Sequence, residues 1–248
     1  MRSMEARSTS PIVEIIRFEL EKIWSAPYVG LILMLLIIGG PTSSAPMLVE
    51  GSAFEVVLSS IGGFKILFLY LITILTFANS FGRDIEQDVL MGEFTLPVRK
   101  ENIFVAKLLA NLSLLLLMDL TVTLFSIWII TASISLASAA SIVLVDVATL
   151  LLFIAITILM SMVLRSRFGA VIVSIAVYFF ESILLDSIAL AITTTNPPNL
   201  NPAYILLKLV FSGELTVFTW GIILIHIAFP LALLAFAYFF FKEVLQLD

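Results

Sequence analysis

Five stretches of the chain run without a single Asp, Glu, Lys or Arg: 27–49, 66–82, 120–145, 147–164 and 215–241. Crossing the ~30 Å hydrocarbon layer as a helix takes roughly 20 apolar residues, with a range of about 17–25. In lipid only helices and closed barrels satisfy the backbone, and these runs lack the alternation of a barrel strand. Isolated charges inside otherwise apolar sequence extend the pattern to six spans. The prediction is an all-α polytopic membrane protein with spans at 27–47, 62–81, 104–130, 142–164, 168–192 and 217–241. Lys65, near the start of the second, is placed to snorkel to the interface.

The remaining segments have patterns of their own. From Pro11 to Trp24, Ile12, Ile15, Ile16, Leu20, Ile23 and Trp24 share one helical face, while Glu14, Arg17, Glu21 and Lys22 cover the rest. Ser10-Pro11 is a start signal, so residues 1–26 read as a cytoplasmic N-terminus with a helix lying in the interface. Glu19 falls inside the apolar face of that helix and needs either the headgroups or a cation, with Arg83 and Arg99 as candidates. The outer loop 193–216 contains Asn201-Pro202 as N-cap and first helical residue and Gly213 as a stop. The enclosed helix would reach only ~16 Å, so it is expected to be interfacial or re-entrant.

Composition agrees with the pattern. Of 248 residues, 61% are hydrophobic and 12% charged, and the mean hydropathy is +1.16. An ordinary soluble domain is about 25% charged. No cysteine is present, which excludes disulfides, thiolate metal sites and cysteine nucleophiles. The first 22 residues carry Arg2, Arg7, Arg17, Lys22 and four glutamates and no apolar core, so no cleavable signal peptide is expected. With the N-terminus inside, eleven of the thirteen Lys and Arg residues fall on the cytoplasmic side, leaving Lys65 and Lys208 outside. That asymmetry predicts both termini in the cytoplasm.

Nine of the thirty-one charged residues crowd into Gly82–Lys107. Within this stretch, "RDIEQDVLM" predicts a short helix carrying Ile85, Val89 and Leu90 on one side; Gly92 ends it and Pro97 precedes the basic pair Arg99-Lys100. A short helix with an apolar face between two spans is suited to docking on another protein. The spacing E-x-x-x-L-x-x-x-x-x-x-P-V-R-x-x-x-I-x-x-x-K, from Glu86 through Leu90, Pro97, Arg99 and Ile103 to Lys107, resembles the first cytoplasmic loop of type-2 ATP-binding-cassette exporter permeases. Phe18-Glu19-Leu20 and Lys22-Ile23 resemble the amphipathic elbow helix of that family, and the outer helix at 201–213 matches its topology. Many relatives have Gly-Thr where this chain has Asp88-Val89, and Ser where Val98 stands.

The resemblance implies a multi-pass subunit of a prokaryotic cell membrane, with the spans in 27–248 and a coupling loop at 82–103. That loop would contact a separate ATPase subunit through Ile85, Glu86, Val89, Leu90 and Arg99, with Glu19 in the elbow helix. It also implies a second permease copy or paralogue completing the route. The chain has no G-x-x-x-x-G-K-[ST], so ATP and Mg are expected on the partner, with no cofactor, metal or catalytic residue in this chain. The transported substrate is left open, and nucleic acid is not expected as a partner.

Acids inside spans are costly and are functional candidates by default. Asp119, Thr123 and Ser126 share a face of the third span, a polar stripe toward the bundle or a dimer seam. Glu181 and Asp186 lie in the fifth, about 140° apart around the helix and so not one pair. Asp146 reads as an outer-interface residue, and His226, the single histidine without a carboxylate neighbour on its own helix, as a packed or interfacial residue and not a metal ligand. Other function classes are an ion-coupled secondary transporter built on Asp119 and Glu181, an intramembrane enzyme and a non-transporting scaffold. Mid-membrane helix breaks would favour the transporter, and only Pro230 offers one.

Overall fold

The structure, a computed structural model, describes residues 11–23, 30, 64–94, 98–130, 136–192, 200–213 and 215–243. The expected span at 27–47 lies outside the described residues apart from Gly30, as do Pro97 and residues 193–199 of the outer loop.

Among the described residues all regular structure is helical. The amphipathic α1 covers Pro11–Ile23. Next, α2 runs as Phe64–Phe77, continues through a π-helical segment, Ala78–Arg83, and finishes with the turn Asp84–Glu86. The short α3, Val89–Phe94, follows a sharp break. Two long helices come next, α4 (Lys100–Ile130) and α5 (Leu136–Leu164), then α6 (Arg167–Ile192) and α7 (Pro202–Ser212). Finally α8 begins as Val217–Ile223, passes through the π-helical turn Leu224–Ala228 and ends as Phe229–Glu243.

Five of these helices are long and apolar enough to cross a membrane: Ile66–Glu86, Lys100–Phe125, Ala139–Leu164, Arg167–Ile192 and Val217–Glu243. These correspond to the second to sixth expected spans, and the chain is a helical multi-pass membrane protein.

At the centre stands α5, which packs against α2, α4, α6, α7 and α8. Its side chains Phe153, Ile154, Ala155 and Ile158 are fully buried, as expected of a helix apolar all round. Small polar residues let neighbours approach closely: Thr157 on α5 and Ser174 on α6 share a hydrogen bond of 2.8 Å. Such intramembrane bonds are worth about 0.6 kcal/mol each. The two-residue connection between α5 and α6 makes them antiparallel neighbours. By contrast α6 is covered on few sides, leaving Phe168, Ile172, Phe179, Phe180 and Ile183 exposed.

The short helix expected at 201–213 forms as its caps predict. Asn201 Oδ1 accepts from the Ala203 and Tyr204 amides at 3.0 and 3.4 Å, Pro202 opens α7, and Gly213 closes it at φ +68. Only a residue free of Cβ adopts that backbone cheaply. Ala203, Ile205, Leu206 and Leu207 are buried, and α7 packs on α5.

Candidate functional site

Among the described residues, the largest group of buried charges lies where α1, the end of α2, α3 and the start of α4 meet. It begins with Glu19. The apolar stripe of α1, with Ile15 buried and Ile12, Ile16 and Leu20 partly so, turns toward α4, and Glu19 goes in with it. Its partner comes from α4: Lys107 Nζ, itself fully buried, donates to Glu19 Oε1 at 2.7 Å. The same ammonium donates to Asp84 Oδ2 at 2.5 Å, at the end of α2, and to Glu93 Oε1 at 3.1 Å, on α3. Lys22 adds a second ammonium, 3.0 Å from Glu19 Oε1 and 2.6 Å from Asp84 Oδ2. Ser80 Oγ, in the π-helical segment, donates to Glu19 Oε2 at 2.7 Å and accepts from Asn111 Nδ2 at 3.0 Å.

Three carboxylates thus surround two ammonium groups in a nearly dry setting. Removing such charges from water costs several kcal/mol per ion, and only close pairing offsets the cost. Burial pushes the Glu19 carboxyl up, but Lys107 and Lys22, with hydrogen bonds from Lys107 and Ser80, outweigh it and hold Glu19 below the usual carboxylate range. At Glu93 burial wins: Lys107 offsets it only in part, Asp84 adds repulsion, and the carboxyl lies above its ordinary value. Glu19, Asp84 and Glu93 each bring an oxygen within 4.8 Å of the others, a spacing that would suit a metal ion. The Lys107 ammonium contacts all three and fills that position.

A second set of contacts holds the opposite side of α3. Phe94 stacks edge-on against Phe241 with centroids 5.5 Å apart, and Phe241 meets Phe81 and Phe104 at 6.3 and 5.3 Å. Leu90 is buried in the same core and Ile85 packs against it. The break before α3 sits at Asp88, whose φ of +54 is left-handed.

The start of one more helix, α6, joins here. The Arg167 amide, at the first residue of α6, donates to Glu86 Oε1 at 2.9 Å, so Glu86 caps α6 with negative charge at the helix's positive end. Arg167 also reaches Asn79 Oδ1 at 3.1 Å. The two backbones touch at Gly82, where a Cβ would lie 2.9 Å from Arg167 Cα.

Several expectations change. Glu19 is paired with Lys107 and Lys22, not with Arg83 or Arg99, because the buried face of α1 meets α4 and the inner turn of α2. The short helix lies at 89–94 and runs through Gly92; residues 82–86 continue α2. The side chain of Leu90 is taken up by this chain's own core, and Val89 is half-buried, whereas Arg83, Glu86, Gln87, Asp88, Gly92 and Arg99 are exposed. Lys107, counted above among the cytoplasmic positive charges, is a buried hub. A cation one turn from Ile103, inside an apolar helix face, was the available signal for it.

Asp119 and Thr123 are both buried and share a hydrogen bond of 3.4 Å, so their stripe faces the bundle; the Ser126 side chain lies outside the description. Asp146 is also buried within the bundle, not exposed at an outer interface. Asp186 is exposed and Glu181 half-buried, and they do not meet. His226 does have a carboxylate neighbour, but from another helix: its Nε2 lies 2.6 Å from Glu181 Oε1. Spacing along one helix cannot reveal a pair formed across two. Compared with known protein families and with curated proteins, the chain matches none.

Proposed function

We propose that this chain is the membrane permease subunit of an ATP-driven exporter, working as a dimer with a separate ATPase subunit. The observation that carries the proposal is the attachment of segment 84–94. A loop that merely joins two spans needs no buried anchor. This one is tied by Lys107 to α1, α2 and α4 at once, braced by Phe241 of α8, and linked through Glu86 to the start of α6. A push on the exposed Glu86–Asp88 turn would therefore reach five helices as one body. The left-handed backbone of Asp88 adds support, since glycine, which many of the resembling permeases have there, adopts it most easily.

In this reading α1 is the elbow helix, 27–47 is a sixth span and both termini are cytoplasmic. Glu86, Gln87, Asp88 and Arg99 meet the ATPase, with Val89 and Ile85 contributing at the edge, and Asp119 and Thr123 stiffen the bundle. Exposed α6 supplies surface for a second copy.

Affinity purification of the tagged chain from its native membrane in mild detergent tests the proposal. A stoichiometric P-loop ATPase is expected in the eluate, and Glu86→Ala is expected to lower its hydrolysis rate in lipid more than its recovery. Absence of any such subunit sinks the reading. The Glu181–His226 pair favours one alternative, an ion-coupled secondary transporter, which would move substrate in vesicles without any ATPase.

A further inference from the structure

Three buried side-chain oxygens on α2 and α4 have no hydrogen-bond partner in the chain: Thr73 Oγ1, Thr76 Oγ1 and Asn111 Oδ1. A threonine in a helix commonly turns its hydroxyl back to the carbonyl four residues earlier, as Thr121 does to Leu117 at 2.7 Å; Thr73 and Thr76 do not. The amide of Asn111 is fixed by its neighbours. Its Nδ2 donates to Ser80 Oγ at 3.0 Å and to the Lys107 carbonyl oxygen at 2.7 Å. Reversing the amide would set its oxygen against that carbonyl, so Oδ1 is the atom left over.

Two of these three oxygens share one space. Thr76 and Asn111, with Glu19 and Ser80, form the buried part of a cavity of about 20 Å³ between α1, α2 and α4. Its remaining walls are Lys22 and Asn79, which are partly exposed, and Arg83, which is exposed, so it opens on that side. Thr73 does not line it. A water molecule needs about 10–15 Å³ of such space and two to four polar partners. The occupant must donate, because Asn111 Oδ1 can only accept, while Thr76 takes either role. Charge speaks against a metal ion. Glu19 Oε1 already accepts from Lys107 at 2.7 Å and from Lys22 at 3.0 Å, so a second cation beside Glu19 would face two ammonium groups at close range. We propose that this cavity is a binding site for one ordered water molecule, which donates to Asn111 Oδ1, bonds the Thr76 hydroxyl and completes the polar shell of Glu19.

The water joins α2 to α4 where Thr76 and Asn111 Oδ1 have no bond of their own. It also carries the Glu19–Lys107 network further into the span Ile66–Glu86, since Thr76 lies one helical turn before Ser80. The site thus adds to what holds α1, α2 and α4 together, and it is independent of whether ATP or an ion gradient drives the protein.

One substitution made at two positions separates a hydrated hydroxyl from a dry one. Thr76→Val removes a hydroxyl that the water satisfies, so the melting point in detergent is expected to fall by about 2–4 °C. Thr73→Val removes a buried hydroxyl outside the cavity, whose burial costs stability, and is expected to melt at or above the parent. Water-edited solid-state NMR of ¹³C-threonine-labelled protein in lipid bilayers reads the contact directly, each peak being assigned by its loss in the matching valine variant. Magnetisation from water is expected to reach Thr76 clearly faster than Thr73. Equal build-up at the two threonines overturns the proposal. So does a Thr76→Val variant that melts at or above the parent, because only a dry hydroxyl is relieved by that change. Sodium, potassium and magnesium chlorides, each compared with choline chloride, test for a cation. Stabilisation of the parent by one of them that Thr76→Val abolishes assigns the site to that ion and overturns the assignment to water.

Discussion

Replacing Lys107 with Met tests the charge network directly. Methionine fills nearly the same volume, so the change removes the ammonium and little else. Glu19, Asp84 and Glu93 then lose their common donor, and Lys22 is left as the one ammonium beside the three acids. Breaking a buried pair by deleting one partner costs about 3–5 kcal/mol, since the remaining charge stays desolvated. For a chain of this length each kcal/mol shifts the melting point by roughly 2–4 °C, so a fall of about 6–20 °C is expected. Thermal unfolding of purified protein in detergent, followed by tryptophan fluorescence, reads the shift. The triple variant Lys107→Met, Glu19→Gln, Asp84→Asn should regain half or more of the loss, because neutral amides are far cheaper to bury. If Lys107→Met melts within about 2 °C of the parent, the network is solvated and the argument for a rigid body fails.

The same measurement checks further outcomes. Gly82→Ala should cost about 1–3 kcal/mol, because the new Cβ meets the Arg167 backbone, which cannot step aside as a side chain would. Asp88→Gly should be neutral or slightly stabilising and Asp88→Val should cost about 1 kcal/mol or more, from the left-handed backbone alone. Glu93, whose carboxyl is raised mainly by burial, is easier to bury protonated, so its contribution to stability grows as pH falls through its raised folded value and levels off below the ordinary carboxylate value. Glu93→Gln should flatten that rise and match or exceed the parent at pH 7; a clear loss at pH 7 would show that the charged form is the favoured one. Glu19 has the opposite sign: its contribution is present above the ordinary carboxylate value and is lost only as pH falls through its lowered one. For topology, a maleimide that cannot cross membranes should label Cys at Asn199 from outside and not Cys at Asp88.

Apolar run length and helix caps made most of the fold legible in the sequence. The second to sixth spans follow from the number of apolar residues needed to cross lipid, and α7 from Asn201, Pro202 and Gly213, whose caps act within a few residues. Amphipathic periodicity likewise marked α1 and placed Glu19 on its buried face. These are local features, set by residues near one another in the chain.

The partners of the charged residues were not legible in the same way. Glu19 and Lys107 are 88 positions apart, and Glu181 and His226 come from different helices; no spacing rule along one segment relates them. Charge counting put Lys107 simply among the cytoplasmic-side positive charges because composition carries no information on which helix covers which. Leu90 looked free to dock because a short helix shows an apolar face in isolation, whereas in the folded chain Leu90 is buried in the core and Phe94 of the same helix meets Phe241 of α8. A buried charge tolerates its surroundings only when an opposite charge arrives from elsewhere in the chain, and that arrival is a property of packing.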